Sequence, residues 1–152
     1  MGAWGFGPFD SDQGLDWVDG VTLIVTGERD MEKVDPANVD QAHVRVVMED
    51  VLVQGSSDPH VMYAAVGLVA VGLHGGRTHP PLASYAPAGP PLLSEVTAAA
   101  LAQDAREVLA TLRATKEWVD TWNSPESLYA AMNSVEQALN GDNTPPDVSA
   151  LY

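Results

Sequence analysis

Four aspartates near the start of the chain have a spacing that could hold a cation: Asp10, Asp12, Asp16 and Asp19. A D-x-D pair is a common arrangement of oxygen ligands, but a calcium loop also needs further alternating acids, a mid-loop glycine and a terminal glutamate. The segment lacks that set. The carboxylates of Asp10 and Asp12 instead suit the start of a helix, where they face the positive end of the helix dipole. We therefore predict no metal site in this segment.

A second group of side chains that could bind or transform a ligand comprises His74, Arg77 and His79. They lie in the sequence H-G-G-R-T-H, where a Pro/Gly-rich connection over residues 75–94 begins. No two histidines of the chain have the i, i+4 spacing of a helical zinc pair, and the sequence contains no H-E-x-x-H motif. These three residues are therefore candidates for a small-ligand or catalytic pocket near the connection rather than for a metal centre.

The usual catalytic motifs are missing from the sequence. There is no cysteine, which excludes thiol nucleophiles, thiolate metal sites and disulfides. There is also no G-x-S-x-G nucleophile elbow, no phosphate-binding Walker motif and no G-x-G-x-x-G that follows a strand. The sequence thus favours a non-enzymatic protein without a cofactor.

The charge of the chain is strongly negative, with 21 acidic against 7 basic residues and a net charge of −14. Such a field repels nucleic-acid backbones and anionic membranes, and it attracts a basic protein. The longest apolar run, residues 61–73, is too short to span a bilayer. Residues 1–20 lack the basic start and apolar segment of a secretory signal. Together with the absence of cysteine, these features predict a soluble, cytoplasmic protein.

Hydrophobic periodicity predicts a mainly α-helical chain that forms a single compact domain over residues 1–141, followed by a tail over residues 142–152. We expect about five helices around a central apolar helix, with one long Pro/Gly-rich connection over residues 75–94. The predicted helices span residues 10–25, a segment from Asp35–Pro36 to just before Gly55, residues 60–73, residues 94–114 and a last segment from Ser124 to just before Gly141. The fourth of them could continue or bend into residues 117–122. Asp10, Asp35, Ser94 and Ser124 are the predicted N-caps of the first, second, fourth and fifth helices. Residues 21–26 and 44–53 are rich in β-branched side chains and could instead be strands.

The first 17 residues read MGAWGFGPFDSDQGLDW, and they resemble the start of a bacterial domain family of unknown function whose members begin M-G-A-W-G-x-G-x-F-D-N-D. Ser11 and Gly14 depart from that pattern, and residues 115–122 loosely resemble a later family segment. The resemblance implies a small, mainly helical bacterial protein and supplies no activity. The positions that carry the signature are Gly2, Trp4, Gly5, Gly7, Phe9, Asp10, Asp12 and Trp17.

Residues 1–9 are predicted to act as a structural clasp. The Trp4 indole buries in the helical core, while the glycines let the backbone turn tightly around it. Replacing Trp4 with alanine should then lower the melting temperature. Loss of binding without loss of stability would contradict the clasp.

Three functions fit the sequence. The first is a small acidic interaction protein, comparable to immunity proteins and antitoxins, that binds a basic partner. The second is a small-ligand-binding protein or enzyme with a pocket near residues 75–94. The third is an acidic DNA mimic, because twelve of the 21 acids and only three bases lie in the first 60 residues.

Overall fold

Six helices make up the part of the chain that the structure, a computed structural model, describes: residues 7–8, 10–27, 39–55, 58–73, 92–122 and 124–140. In chain order they are α1 (Asp12–Thr26), α2 (Gln41–Leu52), α3 (Pro59–Leu73), α4 (Glu95–Ala114), α5 (Lys116–Val119) and α6 (Pro125–Leu139). None of these residues forms a strand, so the predicted mainly α fold is confirmed. The additional helix, α5, is a single turn that follows directly on α4.

The N-cap of helix α1 lies one residue later than predicted. Ser11 is the N-cap, with an extended backbone and a side-chain oxygen that accepts a hydrogen bond from the Gly14 N–H at 3.0 Å. Asp10, the predicted cap, instead accepts a hydrogen bond from the Gly7 N–H at 2.9 Å. Its carboxylate therefore closes the turn before the helix, and the assignment of Asp10 as N-cap was wrong. The helix continues through residues 21–26, which excludes a strand there.

Helix α2 begins at Gln41, later than the predicted start at Asp35 and Pro36. Those two residues lie outside the described part of the chain, but Asp40 has an extended backbone and caps the helix. Its side chain accepts hydrogen bonds from the N–H groups of Ala42 and His43. An N-cap must leave the helical conformation to place its side chain over the first turn, so the helix does not extend back past this residue. Residues 44–52 are helical, which again excludes a strand.

Helix α3 is the central element of the fold, as predicted. Ten of its residues are buried, over Tyr63–Gly72, because its sequence is apolar on every side. It contacts α1, α2, α4 and α6. The other helices are amphipathic and surround α3 with their apolar faces inward.

Serine caps and one glutamine position the second half of the chain. Ser94 and Ser124 cap α4 and α6 as predicted, by accepting hydrogen bonds from the N–H groups three residues later. The Gln41 side chain joins the first turn of α2 to the start of α4, since its amide donates to the Leu92 carbonyl at 3.1 Å and its oxygen accepts from the Ser94 N–H at 2.9 Å. These bonds fix α2 relative to α4.

Several predicted segments lie wholly or mostly outside the described residues. They are the clasp, of which the structure describes residues 7–8, the connection over residues 75–94, of which it describes residues 92–94, and the tail over residues 142–152. Within the described part, no helix combines the length and the apolar character needed to cross a bilayer.

Candidate functional site

A groove of about 620 Å³ separates α1 from α2 on the protein surface. Both helices pack against α3 more extensively than against each other, and the groove lies between them. Trp17 and Val21 form the floor on the α1 side, and Val47 and Val51 form it on the α2 side, because all four are at least partly buried against the core. The groove is thus an apolar cleft built on two helices.

Three large apolar side chains on the walls of the groove are exposed to solvent. Ile24 of α1 is 62% exposed, Val46 of α2 is 65% exposed and Val53, just after α2, is 57% exposed. The described residues include two other exposed large hydrophobic side chains, Val96 and Tyr129, and neither lines the groove. Clustering of exposed apolar side chains around a cleft is typical of an interaction surface, whereas isolated ones are common on any protein.

The charges around the groove are almost all negative. Helices α1 and α2 carry five acidic residues and a single basic one, Arg45. Arg45 forms an ion pair with Glu49 at 2.9 Å, on the same helix. Asp16, Asp19 and Asp50 are exposed and form no ion pair with any residue that the structure describes. The groove thus combines an apolar floor with the acidic side chains of Glu49 and Asp50, and Asp16 and Asp19 lie close by on α1.

A smaller depression of about 340 Å³ lies on the adjacent face of α1, lined by Asp16, Asp19, Gly20 and Leu23. Gly20 lines both this depression and the groove. The two concave surfaces therefore meet over a residue that has no side chain.

An aromatic cluster forms a second distinctive feature, and none of its residues lines the groove. The His60 and Tyr63 rings of α3 meet the Trp118 and Trp122 rings, with centroids 5.5 to 6.3 Å apart and mostly edge-to-face geometry. Such geometry is the preferred packing of aromatic rings. The arrangement fixes α5 and the residues after it against α3.

The titratable groups of this cluster have shifted pKa values. Burial raises the pKa of the Tyr63 hydroxyl, with a further increase from the Asp10 carboxylate and an opposing effect from Arg113. Burial lowers the pKa of His60, against the opposing effect of Asp58. Both shifts favour the neutral forms, so the cluster contains a phenol and a neutral imidazole at neutral pH. The cluster therefore packs two uncharged polar side chains among its tryptophan rings.

The residues singled out from the sequence fall into two groups. The described members of the signature are Gly7, Asp10, Asp12 and Trp17, and of these Trp17 lines the groove. The remaining signature positions and the ligand candidates lie outside the described residues: Gly2, Trp4, Gly5, Phe9, His74, Arg77 and His79. Among the residues that are described, no three acidic, histidine or cysteine side chains are grouped so that they could hold a metal ion.

Sequence reasoning did not identify the groove. A signal was present in α1, where Trp17, Val21 and Ile24 widen the apolar arc beyond what one core-facing stripe requires. Whether the extra apolar width is covered by a neighbouring helix or left open depends on how α1 and α2 are placed relative to each other. That placement is a tertiary property.

Neither the curated proteins nor the solved structures that were compared with the chain include a match. A family model described as a domain of unknown function (DUF4259) matches residues 2–134. That match covers most of the 152 residues and includes all six helices except the last five residues of α6. The chain therefore belongs to the DUF4259 family, whose function is not known.

Proposed function

We propose that this protein is a non-enzymatic interaction protein that docks a basic protein partner in the groove between α1 and α2. The observation that carries the proposal is the coincidence, on α1, on α2 and at the residue directly after α2, of three exposed apolar side chains and five acidic ones, with Arg45 as the single basic residue of the two helices. The apolar groove supplies contact area, and the acidic side chains supply selection by charge.

The two parts of the groove have different physical roles. Covering Ile24, Val46 and Val53 removes apolar surface from water, which stabilises a complex and slows its dissociation. The charges of Asp16, Asp19 and Asp50 act over about a Debye length, roughly 8 Å at physiological ionic strength, and accelerate the approach of a basic protein. We therefore expect the affinity to depend on both apolar contact and salt.

Two further features of the chain support this role. The net charge of −14 disfavours nucleic acid as a direct partner. The absence of cysteine suits a reducing compartment, and we place the interaction in the cytoplasm.

The experiment compares tagged variants in affinity purification from the native host, followed by quantitative mass spectrometry. The double variant Ile24→Ser, Val46→Ser removes apolar contact from the groove without changing the charge. The matched control is Val96→Ser, which replaces the 81%-exposed valine on α4 outside the groove. We expect a basic protein to be recovered with the wild type and the control and to be lost with the double variant.

The recovered partner is then purified and titrated against each variant at two salt concentrations. We expect the double variant to weaken binding by about tenfold or more, equivalent to about 1.4 kcal/mol. The triple variant Asp16→Asn, Asp19→Asn, Asp50→Asn should reduce the association rate and its salt dependence. Equal binding by the double variant and the Val96→Ser control, or recovery of no basic protein by the wild type, would overturn the proposal.

A further inference from the structure

Gly20 is placed where a helix normally benefits from a side chain. It lies in the middle of the 15-residue helix α1, where glycine weakens the helix relative to alanine. Its backbone does not require glycine, because the described glycines with positive φ are Gly27 and Gly55.

Packing within the described residues does not require glycine at this position either. A β-carbon at Gly20 would have no heavy atom within 4 Å. By contrast, a β-carbon at Gly14 would lie 3.0 Å from the Ser11 hydroxyl oxygen, and one at Gly72 would lie 2.9 Å from the Leu93 β-carbon. The absence of a side chain at Gly20 therefore has no explanation in the packing of the described helices.

Two concave surfaces adjoin Gly20. On one side lies the apolar groove with Ile24 and Val46, and on the other lies the depression with Asp16 and Asp19. Gly20 forms the low point between them, so a bound chain could pass over α1 here and contact both surfaces. Small residues allow this close approach of two helix backbones.

On the basis of the docking function proposed above, we infer that the partner's docking element is a basic amphipathic helix that crosses α1 at Gly20. Its apolar side chains lie in the groove against Ile24 and Val46, and lysine or arginine side chains on its edge reach Asp16 and Asp19. A helix is favoured over an extended strand because the groove is built by two helices, and the described residues contain no strand whose edge could be extended.

The test uses three synthetic peptides of about 18 residues, or about five helical turns. One contains leucine and lysine in a helical amphipathic pattern, the second has the same composition in strict alternation, and the third replaces every lysine of the first with glutamate. Each is titrated by calorimetry against the wild type, Gly20→Ala, Gly20→Leu and Thr111→Ala. Thr111 is exposed on α4, so its replacement changes helix propensity without altering the groove.

We expect the helical basic peptide to bind the wild type at least about tenfold more tightly than the alternating or acidic peptide. Gly20→Ala should raise the melting temperature and weaken binding severalfold, while Gly20→Leu should weaken it by about tenfold or more. The Thr111→Ala control should leave the affinity unchanged. Equal binding of the alternating peptide, no binding of any peptide by the wild type, or unchanged affinity in both Gly20 variants would overturn the inference.

The same variants separate this inference from the proposed function. If Ile24→Ser, Val46→Ser abolishes binding of the native partner and both Gly20 variants retain it, the groove is the docking site and the crossing at Gly20 is wrong. If the groove double variant retains the native partner, the proposed function itself is wrong.

Discussion

Gly72 of α3 lies against Leu93, the residue that precedes the cap of α4, so closely that a β-carbon on Gly72 would come within 2.9 Å of the Leu93 β-carbon. The Ala98 β-carbon and the Leu93 carbonyl oxygen would lie at 3.0 and 3.1 Å. The central helix therefore approaches the start of α4 so closely that a side chain at position 72 would collide with its neighbours. This contact explains why an apolar helix contains a glycine near its C-terminal end.

Replacing Gly72 with alanine should destabilise the protein by about 1–3 kcal/mol, because the added methyl group forces α3 and α4 apart. The effect opposes helix propensity, which by itself favours alanine. Urea denaturation measures the change in the free energy of unfolding. The matched control is Gly20→Ala, for which we expect a gain of about 0.5–1 kcal/mol, since its methyl group meets no described atom. A stability of Gly72→Ala equal to or above that of the wild type would contradict the close contact.

Replacing Ser11 with alanine should reduce the free energy of unfolding by about 0.5–2 kcal/mol, because the Gly14 N–H loses its capping partner. Ser11 is also buried, so the unsatisfied N–H stays away from water. Thermal melting followed by circular dichroism checks this prediction. Thr111→Ala, which removes a hydroxyl group from an exposed helix position, is the control and should change stability much less. Equal effects of the two variants would show that Ser11 is not the cap.

Replacing Trp118 with alanine should cost about 3–5 kcal/mol, because the indole is buried between His60 and Tyr63 of α3 and Trp122. Chemical denaturation gives the energy, and near-ultraviolet circular dichroism reports the loss of ordered aromatic packing. The control is Tyr129→Ala, a 38%-exposed aromatic residue on α6, with a much smaller expected cost. A loss below about 1 kcal/mol at Trp118 would show that the ring cluster does not hold α5 in place.

Stability should fall when the pH is lowered through the range in which His60 titrates. Burial lowers the pKa of His60 in the folded protein below its ordinary value of 6.5, so the unfolded chain binds the proton more readily. The contribution of His60 to the free energy of unfolding is therefore complete above pH 6.5. It declines as the pH falls from 6.5 toward the lower pKa that His60 has in the folded state.

The variant His60→Phe retains a ring between Trp118 and Trp122 but cannot titrate. Urea unfolding of the wild type and the variant across this pH range isolates the histidine from the many carboxylates, which titrate in both. We expect the stability difference between the two proteins to shift in favour of the variant as the pH falls. A difference that is constant with pH, or that shifts toward the wild type, would contradict the lowered pKa.

Much of the fold could be predicted because its signals are local. An apolar run bounded by Asp58–Pro59 and by glycines after Leu73 predicts a buried helix, and α3 has that place. Ser94 and Ser124 could be identified as caps because each is a serine directly before a segment with helical periodicity. In the structure, each accepts a hydrogen bond from the N–H group three residues later. At the start of α1, Asp10 and Ser11 are adjacent residues with capping side chains. Spacing alone could not determine which of them caps the helix, because the Asp10 carboxylate accepts a hydrogen bond from the preceding Gly7 N–H instead.

The candidate site was less accessible to sequence reasoning. The acidic charge of −14 could be counted, and it already favoured a basic partner. The location of the site could not be deduced, because Ile24 and Val46 follow the same apolar pattern as residues that the core covers. Their exposure depends on the groove that is left between α1 and α2.

By itself, the sequence determined the five longer helices, the caps of α4 and α6, the central position of α3 and the sign of the charge. These properties depend on residues within a few positions of one another, on the apolar character of one segment, or on composition. Only the tertiary structure decided which apolar side chains stay exposed and that Gly20 lies between two concave surfaces. Both are properties of the space between helices, and that space is set by how α1 and α2 pack on α3, through contacts between residues distant in sequence such as Gly14 and Ala64.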